Sequence, residues 1–235
     1  MSSLISRFLG FLASFSSHFY VIYLRKKGVA IGEGTSFFGR VLVDVTRPYL
    51  LEIGRNCVLT QGVVVLTHGA DWSVMRERFG ELLASSGKVV IEDNVFIGVN
   101  SVILKGVRIG GNCIVGAGSV VTRDIPPNSV AGGNPCRVIM DIGQYYDRRK
   151  KEYLNEAKAY ALELYRKTGQ VPRREDFWVE FPIFLDRDRD WGKLPVREQL
   201  GSAFTQFMRS KPVYSSFREF LIDSGIPANK IGSER

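Results

Sequence analysis

Residues 91–125 read IEDNVFIGVNSVILKGVRIGGNCIVGAGSVVTRDI, and an aliphatic side chain recurs at every sixth position: Ile91, Ile97, Ile103, Ile109, Val115 and Val121. Four residues after each stand Val95, Ser101, Val107, Cys113, Ser119 and Ile125, all small or β-branched. A period of six is neither the 3.6 of a helix nor simple alternation. It describes a short strand and a tight turn, repeated, with one aliphatic side chain turned inward each time. Glycine follows the aliphatic residue at Gly98, Gly110 and Gly116, where it is expected to supply the positive-φ backbone of the turns. Stacked strands bury a column of Ile and Val, each worth about 1.5–3 kcal/mol when fully buried. Chance alternation would not hold phase through six repeats.

The same register appears earlier at Ile53, Leu59 and Val65, and more weakly at Ile31 and Phe37. Between Val65 and Ile91 it breaks for LTHGADWSVMRERFGELLASSGKVV. That excursion is too long for a turn, and long loops in compact repeats are usually functional. It opens with Thr67 and His68, and the chain has only one other histidine, His18. A lone histidine in a random loop is most often surface decoration. One placed at the break of the repeat is a candidate general base, able to take a hydroxyl proton near neutral pH. Asp71, Glu77, Glu81 or a backbone carbonyl are the candidates to orient it, and the sequence does not choose among them.

The motif VFIGVNSVILKGVRIGGNCIVGAGSVVTRDIPPNSVAGGNPCRVI, residues 95–139, resembles the hexapeptide-repeat acyltransferases. Its part GAGSVVTRDIPPNSVAGGNP is similar to the maltose, galactoside and capsule or O-antigen O-acetyltransferases. The resemblance covers about residues 28–139. It implies a mainly β chain built on a left-handed parallel β-helix of three hexapeptides per coil, an exception to the usual right-handed crossover. It also implies acetyl-CoA as donor, bound in a groove between subunits of a homotrimer, and His68 as catalytic base in a matching Thr-His step. Carried over by motif position, the donor contacts are Val99, Ala117, Thr122, Arg123 and Arg137. Arg123 stands for the family's usual lysine and keeps the charge, and Arg137 offers a guanidinium to phosphate. Met140 replaces a further basic residue, which weakens that contact. Phe96 stands where relatives place a tryptophan beside the reacting groups. The acceptor-binding asparagine upstream of the histidine has no counterpart in SFFGRVLVDVT, so Asp71 and Trp72 are the substitute acceptor contacts, with Trp72 equally readable as an anchor for the loop.

The chain thus divides into an amphipathic N-terminal helix (1–27), the β-helix domain (28–139, active-site loop 67–88) and a largely α-helical extension (140–235). In the extension the spacing predicts helices over 146–165, Val196–Met208 and Ser216–Asp223, ending respectively at Gly169, Met208 and Gly225. Its bland reading is a cap or trimer-stabilising element over an open β-helix end. A sharper one lets Asp186, Asp188, Asp190 and the interleaved arginines reach the acceptor or a partner. The N-terminal MSSLISRFLGFLASFSSHFYVIYLRKKG is too interrupted by serines to span a bilayer. It suits packing on the protein's own body, with peripheral membrane contact through residues 1–27 as the alternative.

The 235 residues carry a net charge of +8, and the excess is spread along the chain, with no basic face interleaved with aromatics of the kind that binds nucleic acid. Three cysteines without a CxxC pair fit a reducing, cytoplasmic compartment, with association at the inner face of the membrane as the alternative that residues 1–27 leave open. Two histidines cannot make the three-histidine metal site of a carbonic anhydrase on this fold, and no metal is expected. The leading expectation is O-acetylation of a sugar, free or lipid- or nucleotide-linked, in polysaccharide synthesis. N-acetylation of a nucleotide-linked amino sugar is the runner-up, and a non-enzymatic assembly subunit the third reading.

Overall fold

The computed structural model describes residues 17–187 and 191–231. The chain divides into a unit ending at Tyr146 and a second beginning at Asp147.

In the first unit the six-residue period becomes three sheets visited in turn. The first sheet holds Ala30–Ile31, Leu51–Ile53, Val89–Ile91 and Arg108–Ile109. The second holds Ser36–Phe37, Val58–Leu59, Phe96–Ile97, Ile114–Val115 and Ser129–Gly132, and the third Leu42–Val43, Val64–Val65, Val102–Ile103 and Val120–Val121. All these pairings are parallel, so the chain winds as a stack of three-sided coils. The inward residues meet in register. Ile31, Ile53, Ile91 and Ile109 form one column, which a bridge extends to Ile125. Phe37, Leu59, Ile97, Val115 and Ala131 form the second, and Val43, Val65, Ile103 and Val121 the third. Apart from half-buried Ile31, no member of a column is more than 6% exposed.

The corners correct one expectation. Gly98, Gly110 and Gly116 do not carry the positive φ. At the corner before the second sheet it falls on Asn56, Asn94, Asn112 and Asn128, with φ of 54°, 58°, 57° and 59°. Asparagine tolerates this left-handed backbone better than most side chains. Asn94 Nδ2 donates to Asn112 Oδ1 (2.8 Å), and Asn112 Nδ2 to Asn128 Oδ1 (2.9 Å), so the corner is a ladder of amides. Gly98 is small for a different reason: a Cβ there would lie 2.5 Å from the Ala117 backbone nitrogen of the next coil.

Helix α1 (Ser17–Lys27) closes the start of the stack. Its Val21 and Leu24 join the coil core, Tyr20 meets Phe37 edge-on at 5.4 Å, and the Phe37 N–H donates to Ser17 Oγ. The Arg25 guanidinium donates to the carbonyls of Ile31 and Gly32, covering part of the first coil's open edge. Residues 1–16 of the expected helix lie outside the described residues. No helix among the described residues is long and apolar enough to cross a membrane. The excursion after the third sheet's Val64–Val65 carries helix α2 (Trp72–Phe79), closed by Gly80 at φ 74°. At the far end of the stack Ser129–Gly132 pairs antiparallel with Arg137–Asp141, which ends the coiling. Helix α3 (Ile142–Thr168) follows.

The second unit has its own aromatic core. Ala157 and Ala161 of α3 share it with Phe177, Phe184, Phe217 and Phe220. Gly169 (φ 67°) ends α3 as expected. The helix expected over Val196–Met208 is broken: Val196–Leu200 and Phe204–Arg209 are separate, because the chain turns at Gly201 with φ 47°. The helix Phe217–Asp223 starts on Ser216, whose side chain accepts from the Glu219 N–H. The expectation that arginines in DRDRDW face a ligand fails at Arg187. This side chain is buried, donating to the carbonyls of Phe207, Leu185 and Pro182 and stacking 3.8 Å from the Phe207 ring centre. Asp188 and Asp190 lie outside the described residues.

If register stacking holds the first unit, Ile103→Ala, which empties a site between Val65 and Val121, should cost about 2–5 kcal/mol in urea unfolding.

Candidate functional site

The excursion is held shut at its neck. His68 and Gly69 pair antiparallel with Ser86 and Ser85, and the Gly87 N–H donates to the Thr67 carbonyl at 3.0 Å. His68 therefore sits on a fixed two-stranded stem and not on the free part of the loop.

The group facing it comes from the coil below. Val43 pairs with Val65, so Asp44 lies beneath the Leu66–His68 step. Its Oδ2 is 2.5 Å from His68 Nδ1 and accepts from Thr67 Oγ1 at 2.6 Å and the Thr67 N–H at 3.2 Å. Its Oδ1 accepts from Thr46 Oγ1 at 2.6 Å and the Thr46 N–H at 3.0 Å. Asp44 is only 7% exposed. Burial alone would raise its pKa, but the hydrogen bonds from Thr46, Thr67 and His68 together outweigh it and hold the carboxyl well below the ordinary carboxylate range. An ionised carboxylate can only accept, so His68 Nδ1 carries the hydrogen that points at it. In the neutral ring the lone pair is then on Nε2.

None of the orienting groups expected from the loop takes this place. The Asp71 carboxylate instead accepts from Ser85 Oγ at 2.8 Å and braces the loop neck. Glu77 pairs with Arg76, and Glu81 is exposed. Trp72 begins α2, with the Arg76 guanidinium 5.5 Å from its ring centre.

The five expected donor contacts flank the third sheet. Val99 and Ala117 lie at the corner entering it, where the Gly118 N–H donates to the Val99 carbonyl at 2.7 Å. Thr122 and Arg123 follow Val121 at the corner leaving it, the side from which His68 also departs, and both are exposed. Cys136 N–H donates to the Val120 carbonyl at 2.9 Å, so the chain touches the third sheet just before Arg137, which opens the antiparallel strand of the second sheet. Lys105, two residues past Ile103, occupies the column position between Thr67 and Arg123, and sequence reading passed it over. The outer face between the two corners is aliphatic: Leu42, Val64, Val102 and Val120, one per coil and in register. Phe96 is not brought to His68 within one chain. It lies on the outer face of the second sheet between Val58 and Ile114, in a shallow groove of about 280 Å³ that Asn94 and Asn112 also line. Among the described residues, no three His, Cys, Asp or Glu side chains converge as a metal site would require.

Residues 88–123 match the family described as the hexapeptide repeat of succinyl-transferase. Protein CapG of Staphylococcus aureus is 39% identical over 154 residues, which are 61% of this chain and 87% of CapG. A putative acetyltransferase, YvoF of Bacillus subtilis (strain 168), is 35% identical over 56% of this chain and 70% of its own length. The galactoside O-acetyltransferase of Escherichia coli (strain K12) is 38% identical over 131 residues, 56% of this chain and 62% of that enzyme. The stacked hexapeptide coils and these similarities define one class, and the chain belongs to the hexapeptide-repeat acyltransferases. The similarity covers little more than half of this chain.

Asp44 also makes a stability prediction. Its folded pKa is depressed, so its contribution is present above the unfolded value of about 4 and is lost as pH falls toward the folded value. Asp44→Asn should therefore be less stable than the parent at neutral pH, and the gap in urea unfolding should narrow only below about pH 4. A gap independent of pH would mean the carboxylate charge is not what these donors hold.

Proposed function

We propose that the protein transfers the acetyl group of acetyl-CoA to a sugar hydroxyl, with His68 as general base and Asp44 as its positioning residue. The observation that carries this is the 2.5 Å contact between His68 Nδ1 and a buried, five-fold hydrogen-bonded Asp44 carboxylate. In this reading His68 Nε2 takes the acceptor hydroxyl proton as the oxygen bonds to the thioester carbonyl carbon. The tetrahedral intermediate collapses with cleavage of the carbon–sulfur bond. The imidazolium, stabilised by Asp44, then returns the proton to the departing thiolate, leaving the ester and free CoA.

The donor lies along the third sheet, with Val99 and Ala117 at one corner and Thr122, Arg123 and Arg137 toward the phosphates. The coil winds left-handed, as the family resemblance implies. The assembly is a homotrimer in which the aliphatic outer face of the third sheet meets a neighbour, and Phe96 reaches the reacting groups from a second copy. Asp71 and Trp72 border the acceptor, Asp71 through the loop neck it braces. The acceptor belongs to capsule, O-antigen or similar polysaccharide synthesis, handled in the cytoplasm at the inner face of the membrane. Support for the sugar comes from the similarity to a galactoside O-acetyltransferase.

A thiol-release assay with acetyl-CoA across free, nucleotide-linked and lipid-linked sugars tests the reading, with amino sugars included to expose N-acetylation. His68→Ala should lower kcat by about 10²–10⁴-fold. Asp44→Asn should also lower kcat, by about 10²-fold or more, with KM for acetyl-CoA little changed. Unaltered turnover in His68→Ala would end the proposal.

A further inference from the structure

The first-coil end of the stack shows solvent an excess of basic side chains. Over residues 17–50 the basic side chains are Arg25, Lys26, Lys27, Arg40 and Arg47, while the acidic ones are Glu33 and the buried Asp44. On the coils above, by contrast, Arg55 pairs with Asp93, Lys88 with Glu52 and Arg108 with Glu92. The end layer also exposes large apolar groups: Phe19 at 36%, Phe38 at 60% and Tyr49 at 81%. Tyr49 stands against the end of α1, since a Cβ on Gly28 would lie 2.7 Å from its ring. It thus adjoins Lys26 and Lys27. On α1 itself Phe19, Ile22 and Lys26 share one side at helical spacing, opposite buried Val21 and Leu24.

From this we infer that the first-coil end of the stack docks onto an anionic lipid surface. Aromatic and aliphatic groups beside lysines and arginines that have no carboxylate partner among the described residues match the boundary between acyl chains and acidic headgroups. The placement has a consequence for the proposed acetyl transfer, on which this part rests. Asp44 belongs to the first coil and His68 to the second, one coil spacing of about 5 Å higher. A surface at this end therefore lies one coil and the thickness of helix α1, about 10 Å more, below the reacting imidazole, on the side from which a sugar carried on a lipid would present its hydroxyls.

The test is sedimentation of the full chain with phosphatidylcholine vesicles, with and without about one-third phosphatidylglycerol, at low and high salt. The protein should sediment with the anionic vesicles, less so at high salt, and the double variant Lys26→Glu/Lys27→Glu should partition at least about tenfold more weakly. Acetyl transfer by that variant to a soluble acceptor, expected at the parent rate, shows that it is folded. No binding to anionic vesicles, or equal binding by the variant, overturns the inference. So does a concentration-dependent rise in mass that the double variant abolishes, which would make a second copy the occupant. Vesicle binding by a protein that transfers no acetyl group would sink the catalytic reading and leave the docking surface standing.

Discussion

The structure depends on coils stacking in strict register at the spacing of parallel strands, about 4.8 Å. Three columns of Ile, Val, Leu and Phe enforce that register because a slip by one residue would turn every inward side chain to solvent. The same constraint delivers chemistry. It sets Asp44 of the first coil under Thr67 and His68 of the second, although 24 positions separate the carboxylate from the imidazole. A carboxylate buried this deeply would be costly if left unpaired. Two threonine hydroxyls, two backbone N–H groups and the imidazole satisfy it, so its charge persists inside the fold and its position is fixed from several directions.

The stack and its interruption divide the work. The columns supply a rigid frame, and the excursion after Val65 departs from it only beyond a paired neck. His68 is on the neck, one residue past the last position held by the stack, and so inherits the frame's precision. The helix α2 beyond it buries none of its residues. A histidine held on a paired neck, with an unburied helix farther along the loop, is an arrangement that the proposed acetyl transfer would use to hold one base still.

Much of this was legible in sequence, for physical reasons. A period of six over Ile91–Val121 can bury its aliphatics only by stacking, so the coils and their core followed directly. The break in that period located His68. The partner of His68 was not legible, because Asp44 interacts across coils and sequence spacing alone reports neighbours along the chain. A signal was nevertheless present: Asp44 interrupts the apolar run VLVDV immediately after an inward residue, one coil before Thr67, where a carboxylate needs partners. The corners were misread because the positive φ was assigned to Gly98, Gly110 and Gly116, whereas it falls on Asn56, Asn94, Asn112 and Asn128, which add an amide ladder, and on other glycines such as Gly62, Gly106 and Gly118. In the second unit Gly201 splits what looked like one helix, and Arg187 turns inward to carbonyl acceptors, a burial that the alternating Asp and Arg of DRDRDW conceal.

The tautomer of His68 probes the central claim most directly. With two histidines in the chain, ¹⁵N NMR of the imidazoles, assigned with a His18→Gln variant, resolves each ring nitrogen. At a pH where the ring is neutral, the account predicts a proton on His68 Nδ1, shifted downfield by the Asp44 carboxylate, and a bare Nε2. A proton on Nε2 with Nδ1 unprotonated would contradict it.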